Sequence, residues 1–75
     1  MPDPVYVVTD GIIFEIRQEP DSMEVILDGS RVSWTINLEY NRWVVHDHEG
    51  KWRAAHLDPV LALNAGIELM TKEFG

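Results

Sequence analysis

No cysteine occurs among the 75 residues, so neither a disulfide nor a thiolate metal site can brace the fold. Basic residues are scarce: six Lys and Arg stand against thirteen Asp and Glu, for a net charge of -7. No apolar run approaches the ~20 residues that a membrane-spanning helix needs, which excludes that class. The opening Met1-Pro2-Asp3-Pro4 lacks a basic region and a long apolar run. No secretory leader is therefore expected, and a cytoplasmic setting is. Internal repeats and low-complexity stretches are missing as well. With 45% hydrophobic and 9% aromatic residues, the chain is too apolar to stay disordered.

What is present fits a single small domain over residues 1–75, with residues 1–4 as a loose end. A chain of this size buries only about 60% of the surface it exposes when unfolded. Three Trp, two Tyr and two Phe must supply much of that area. The charge is unevenly spread. Residues 1–30 hold seven acids and one base, a net of -6, and residues 31–75 hold six acids and five bases, a net of -1. Such a field repels phosphates and attracts basic surfaces. A nucleic-acid binder needs the reverse, a basic stripe, so direct DNA or RNA contact is not expected.

Apolar and polar residues alternate through residues 5–56, the pattern of strands, whereas residues 58–74 follow a helical period. Asp10-Gly11, Asp28-Gly29 and Glu49-Gly50 punctuate the strand region. Asp-Gly between alternating runs is a strong hairpin signal, because both central residues of that turn need positive φ. A two-residue loop at Asp10-Gly11 pairs Thr9 with Ile12, Val7 with Phe14 and Val5 with Ile16. The same loop at Asp28-Gly29 pairs Leu27 with Ser30, Val25 with Val32 and Met23 with Trp34. At Glu49-Gly50 the reading splits, since Glu49 suits positive φ poorly. Either that pair is the loop, with Val45 facing Ala54 and Trp43 facing His56, or a longer loop runs through Asp47-His48-Glu49-Gly50. The connection Asn37-Leu38-Glu39-Tyr40-Asn41 has no Gly or Pro, and a loose turn is expected there.

Asp58 can cap the helix, and Pro59 suits its first position. At 100° per residue, Val60, Leu63, Ile67, Met70 and Phe74 form the stripe expected to face the sheet. Leu61 and Leu69 fall outside it, with the small residues Ala62, Ala65 and Gly66. The fold class is therefore α+β: an antiparallel meander of five to six strands with one C-terminal helix on one face. The inward set is Val5, Val7, Phe14, Ile16, Met23, Val25, Leu27, Val32, Trp34, Ile36, Trp43 and Val45. Tyr6, Val8, Ile13, Glu15, Arg17, Glu24, Ile26, Ser33, Thr35, Arg42 and Val44 belong to the other face, which one helix cannot also cover.

Few residues suggest chemistry. His46 and His48, two apart on a strand, would share a face and are the only metal-ligand candidates, and weak ones. The third histidine, His56, pairs with Trp43 and lies about 10 Å along the ladder from His46. A solvated hairpin tip explains these histidines as well, and neither a metal nor another cofactor is expected. Ser22 and Ser30 belong to turns, and Ser33 lies mid-strand on the outer face. None sits in a strand-to-helix elbow, no glycine-rich phosphate loop is present, and little room is expected for a pocket of about 300 Å³. The carboxylate pairs Glu19 with Asp21 and Asp47 with Glu49 fall in turns, where water would keep them ordinary. An enzyme is not expected.

Trp34 and Trp43 alternate into the core. Trp52 follows the uncertain hairpin tip; core packing is the stronger reading, with an exposed anchor as the alternative. In size and element order the chain is similar to many small phage and bacterial accessory proteins, a likeness that no motif carries and that assigns no residue a role. The function expected is a non-enzymatic, small acidic binding domain, regulatory or inhibitory, acting by protein–protein contact and forming a homodimer. Its interface candidates are Tyr6, Ile13, Ile26, Val44, Trp52, Leu61 and Leu69. One alternative is an acidic mimic of nucleic acid, with Glu15, Glu19, Asp21 and Glu24 as its ridge. Another is a structural subunit of a larger phage or bacterial assembly.

Overall fold

Short turns between alternating strands leave the chain one economical path, in which each strand pairs with the next. A computed structural model describes residues 3–74 and shows that path. The strands are β1 (Val5–Thr9), β2 (Ile12–Glu19), β3 (Ser22–Leu27), β4 (Ser33–Glu39), β5 (Arg42–His46) and β6 (Trp52–His56), followed by helix α1 (Pro59–Phe74). They form one antiparallel sheet in chain order, and α1 packs against β4, β5 and β6. The class is α+β, a six-stranded meander with one C-terminal helix. Asp3 and Pro4 lie outside regular structure, while the rest of the expected loose end falls outside the described residues.

The first hairpin has the expected register, with Thr9 opposite Ile12 and Val5 opposite Ile16. Asp10 and Gly11 both adopt positive φ, 51° and 78°, as this tight turn requires. The second hairpin differs. Val25 faces Trp34 and Met23 faces Ile36, two residues along from the expected pairing. Of Asp28 and Gly29 only the glycine has positive φ. The loop consequently widens over residues 28–31, closed by the Ser30 amide donating to Leu27 O (3.1 Å) and the Val32 amide donating to Ser30 Oγ (3.1 Å). A shift of two preserves which face each side chain occupies, so alternation alone does not distinguish the registers. Ser22, expected in a turn, is instead the first residue of β3. Ser33, expected mid-strand, opens β4.

The expected loose connection at 37–41 is tight. Strand β4 runs on to Glu39, which faces Arg42, and only Tyr40 and Asn41 form the turn. Both have positive φ (51° and 65°). Asn tolerates that region; Tyr seldom enters it. The third hairpin keeps Val45 opposite Ala54 and Trp43 opposite His56, then shifts register so that His46 faces Trp52. The longer loop through residues 47–50 follows.

The core consists of Phe14, Ile16, Met23, Val25, Trp34, Ile36 and Val45 from the sheet and Ala62, Ile67 and Met70 from the helix. Val5, expected inward, is exposed at the strand's start. Asp58 caps α1, its Oδ1 accepting from the Val60 amide at 2.7 Å. The buried stripe is rotated from the expected one: Ala62, Gly66, Ile67 and Met70 are buried, whereas Val60 and Phe74 are exposed. Small residues allow the helix to lie close on the sheet. A β-carbon at Gly66 would stand 3.6 Å from Ile36 Cδ1 and from Val45 Cγ1, ordinary contact distance.

Candidate interaction surface

With α1 on one face, the other face of the sheet is uncovered. Along it, Val8 stands beside Ile13, and Tyr6 beside Glu15, which is followed by Ile26. The next row runs Arg17, Glu24, Thr35, His46 and Trp52. Arg17, Glu24 and Thr35 of this row thus divide two apolar regions, one over β1–β2 and one over β5–β6.

The second region holds a depression of about 480 Å³ lined by Glu39, Tyr40, Arg42, Val44, Trp52 and Ala55. Together with one of about 330 Å³ between the β1–β2 turn and α1, it exceeds the room expected for so small a chain. Val44, 8% exposed, is buried rather than displayed. Trp52 is 63% exposed, not in the core, and Tyr40 is 98% exposed. The β-bulge between Val45 and His46 sets Trp52 opposite His46 on this face. His46 Nε2 lies 2.9 Å from Glu39 Oε2 at the rim. Tyr40 was not an interface candidate in the sequence, because its turn could not be foreseen there.

Of the other interface candidates, Tyr6 and Ile13 are exposed and Ile26 is half-buried on the uncovered face. Leu61 is exposed on the outer side of α1, while Leu69 is half-buried against the core. The two metal-ligand candidates diverge: His46 turns to Glu39, whereas the ring of His48 meets Phe74 edge-on at 5.7 Å. Among the described residues no group of three or more His, Asp or Glu is placed to hold a metal ion.

The acidic candidates Glu15, Glu24 and Glu19 lie on β2 and β3, and Asp21 in the turn between those strands. Arg17 interrupts them. Its Nε donates to Glu15 Oε2 at 2.6 Å, and it stands opposite Glu24. That hydrogen bond, with the Glu15 charge, raises the Arg17 pKa.

Asp47 corrects the expectation of an ordinary turn carboxylate. Among the described residues it is the one buried charged side chain, at the β5–β6 tip. Its Oδ1 accepts from the Glu49 and Lys51 amides, both at 2.9 Å, and its Oδ2 from Arg53 Nη1 at 3.2 Å. Burial pushes its pKa up, but the two amides and the guanidinium outweigh burial and hold it below the usual value. Arg53 also donates to Glu73 on α1, and its guanidinium lies 4.9 Å from the centre of the Trp34 ring. This group ties the hairpin tip, β6 and the end of the helix together over the core.

Among the described residues no helix is long and apolar enough to cross a membrane. Comparison with known proteins finds no matching family model, no similar curated protein and no similar solved structure.

Proposed function

We propose that this chain is a non-enzymatic, small acidic binding domain of the cytoplasm, regulatory or inhibitory, which acts by protein–protein contact and self-associates. The observation that carries this reading is Tyr40. It occupies a left-handed backbone position that costs a bulky residue stability, yet its side chain is 98% exposed and serves no packing. Trp52 and Arg42 line the same depression, and Trp, Tyr and Arg are the residue types enriched at interface hot spots. A protein partner that buries Tyr40 and Trp52 gives both a purpose. The acidic-mimic alternative has less support, because Arg17 breaks the row of carboxylates. A place in a larger phage or bacterial assembly would use the same surface.

Affinity capture from the native host's lysate, with mass spectrometry, tests the reading. The wild-type chain should retain a protein that Trp52→Ala and Tyr40→Asn, both still folded, lose. Identical recoveries from all three would remove this face from the account.

A further inference from the structure

The sheet has two open edges, and they differ. Edge β6 has α1 packed against it and carries Arg53 and His56. Edge β1, Val5-Tyr6-Val7-Val8-Thr9, is the one strand of the six without an Asp, Glu, Lys or Arg, in a chain of net charge -7. Tyr6 is 58% and Val8 66% exposed. No proline or bulge interrupts the strand, and natural edges are usually blunted by such devices or by charge.

We propose that β1 is a self-pairing edge, whose occupant is β1 of a second copy, antiparallel about a two-fold axis at Val7. This deepens the self-association part of the binding-domain reading and rests on it. The two-residue turn makes Thr9 and Ile12 a hydrogen-bonded pair. Val5, Val7 and Thr9 therefore spend their backbone groups on β2, and those of Tyr6 and Val8 point to the open edge. The Asp28 amide donating to Ile13 O at 3.0 Å fits the same alternation one strand further in.

Two copies can then pair Tyr6 of each with Val8 of the other, every open donor meeting an acceptor. A register shifted one way calls on Pro4, which has no amide hydrogen; shifted the other way, it calls on Asp10 in the turn. The register centred on Val7 avoids both. It sets Tyr6 beside Val8 of the second copy and joins the two Val8–Ile13 patches. Net charge opposes the approach, and β1 itself brings no Asp, Glu, Lys or Arg to the contact.

Amide hydrogen exchange on the full chain, read residue by residue by NMR, tests this. From low to high micromolar concentration, the Tyr6 and Val8 amides should slow about tenfold or more, while Val7 and Thr9 are slow throughout. Added salt should strengthen the effect by screening the acids. In Val8→Pro, tolerable where the amide points outward, Val7 and Thr9 should stay slow and Tyr6 should exchange fast at every concentration. Fast exchange of Tyr6 and Val8 at all wild-type concentrations would overturn the proposal. So would slowing confined to other residues, or Tyr6 protection kept in folded Val8→Pro. The wild-type series decides alone if Val8→Pro does not fold. Partner capture through Tyr40 and Trp52 would survive any of these failures.

Discussion

Trp34 and Asp47 show how differently single residues declare themselves. Trp34 sits at an inward position of a clean alternation, so its burial was legible; its neighbour across the ladder, Val25, was not. Its ring closes the core beneath Arg53. Replacement by Ala should cost about 3–5 kcal/mol, most of the ~0.05–0.15 kcal/mol per residue a domain holds. Thermal unfolding measures it, and a folded variant with an unchanged melting point would contradict the packing. Trp34→Phe should cost clearly less, because the indole N–H is buried without a hydrogen-bond partner among the described residues. Asp47 gave no local signal. Its role depends on Arg53 arriving from β6 and on a loop that turns two amides inward. Its pKa is lowered in the fold, so its contribution is complete above the unfolded carboxylate value of about 3.9 and is lost as pH falls below it. Urea midpoints of wild type and Asp47→Asn should therefore differ most near neutral pH and converge below pH ~4. A gap that persists in acid would contradict the hydrogen-bonded carboxylate.

At the scale of elements, the strands, their order and the helix cap were readable, since turn chemistry and period are local. The register of the second hairpin and the rotation of α1 were not. A two-residue slip changes no face, and amphipathicity weights large side chains, whereas close approach selects small ones. Gly66 faces the sheet where Ile36 and Val45 already fill the space, and Ala62, one turn before it, is buried too. Gly66→Ala should stabilise the protein by about 0.5–1 kcal/mol, since a helix-interior glycine costs that much relative to alanine and the added methyl group fits at 3.6 Å. The melting point should rise by several degrees, at about 4–8 °C per kcal/mol. Gly66→Leu should overpack against Ile36 and Val45 and lower it. The Tyr40-Asn41 turn escaped the sequence because it lacks glycine, the usual marker of positive φ. Tyr40→Asn should raise the melting point while abolishing partner retention, a split that a purely structural tyrosine would not produce.

For the whole molecule, one helix and one sheet leave one face open, and that much followed from counting elements. The division of the open face into two apolar regions did not, because it depends on where Arg17, Glu24 and Thr35 align across strands. The proposed contact between copies lies at β1, the strand without an Asp, Glu, Lys or Arg. Light scattering coupled to size exclusion tests that account most directly, on the wild-type chain at high micromolar concentration and rising salt. A dimer paired through β1 gives a mass approaching twice 8.6 kDa, and the dimer fraction rises as salt is added. A mass of 8.6 kDa at every concentration and salt level would contradict it.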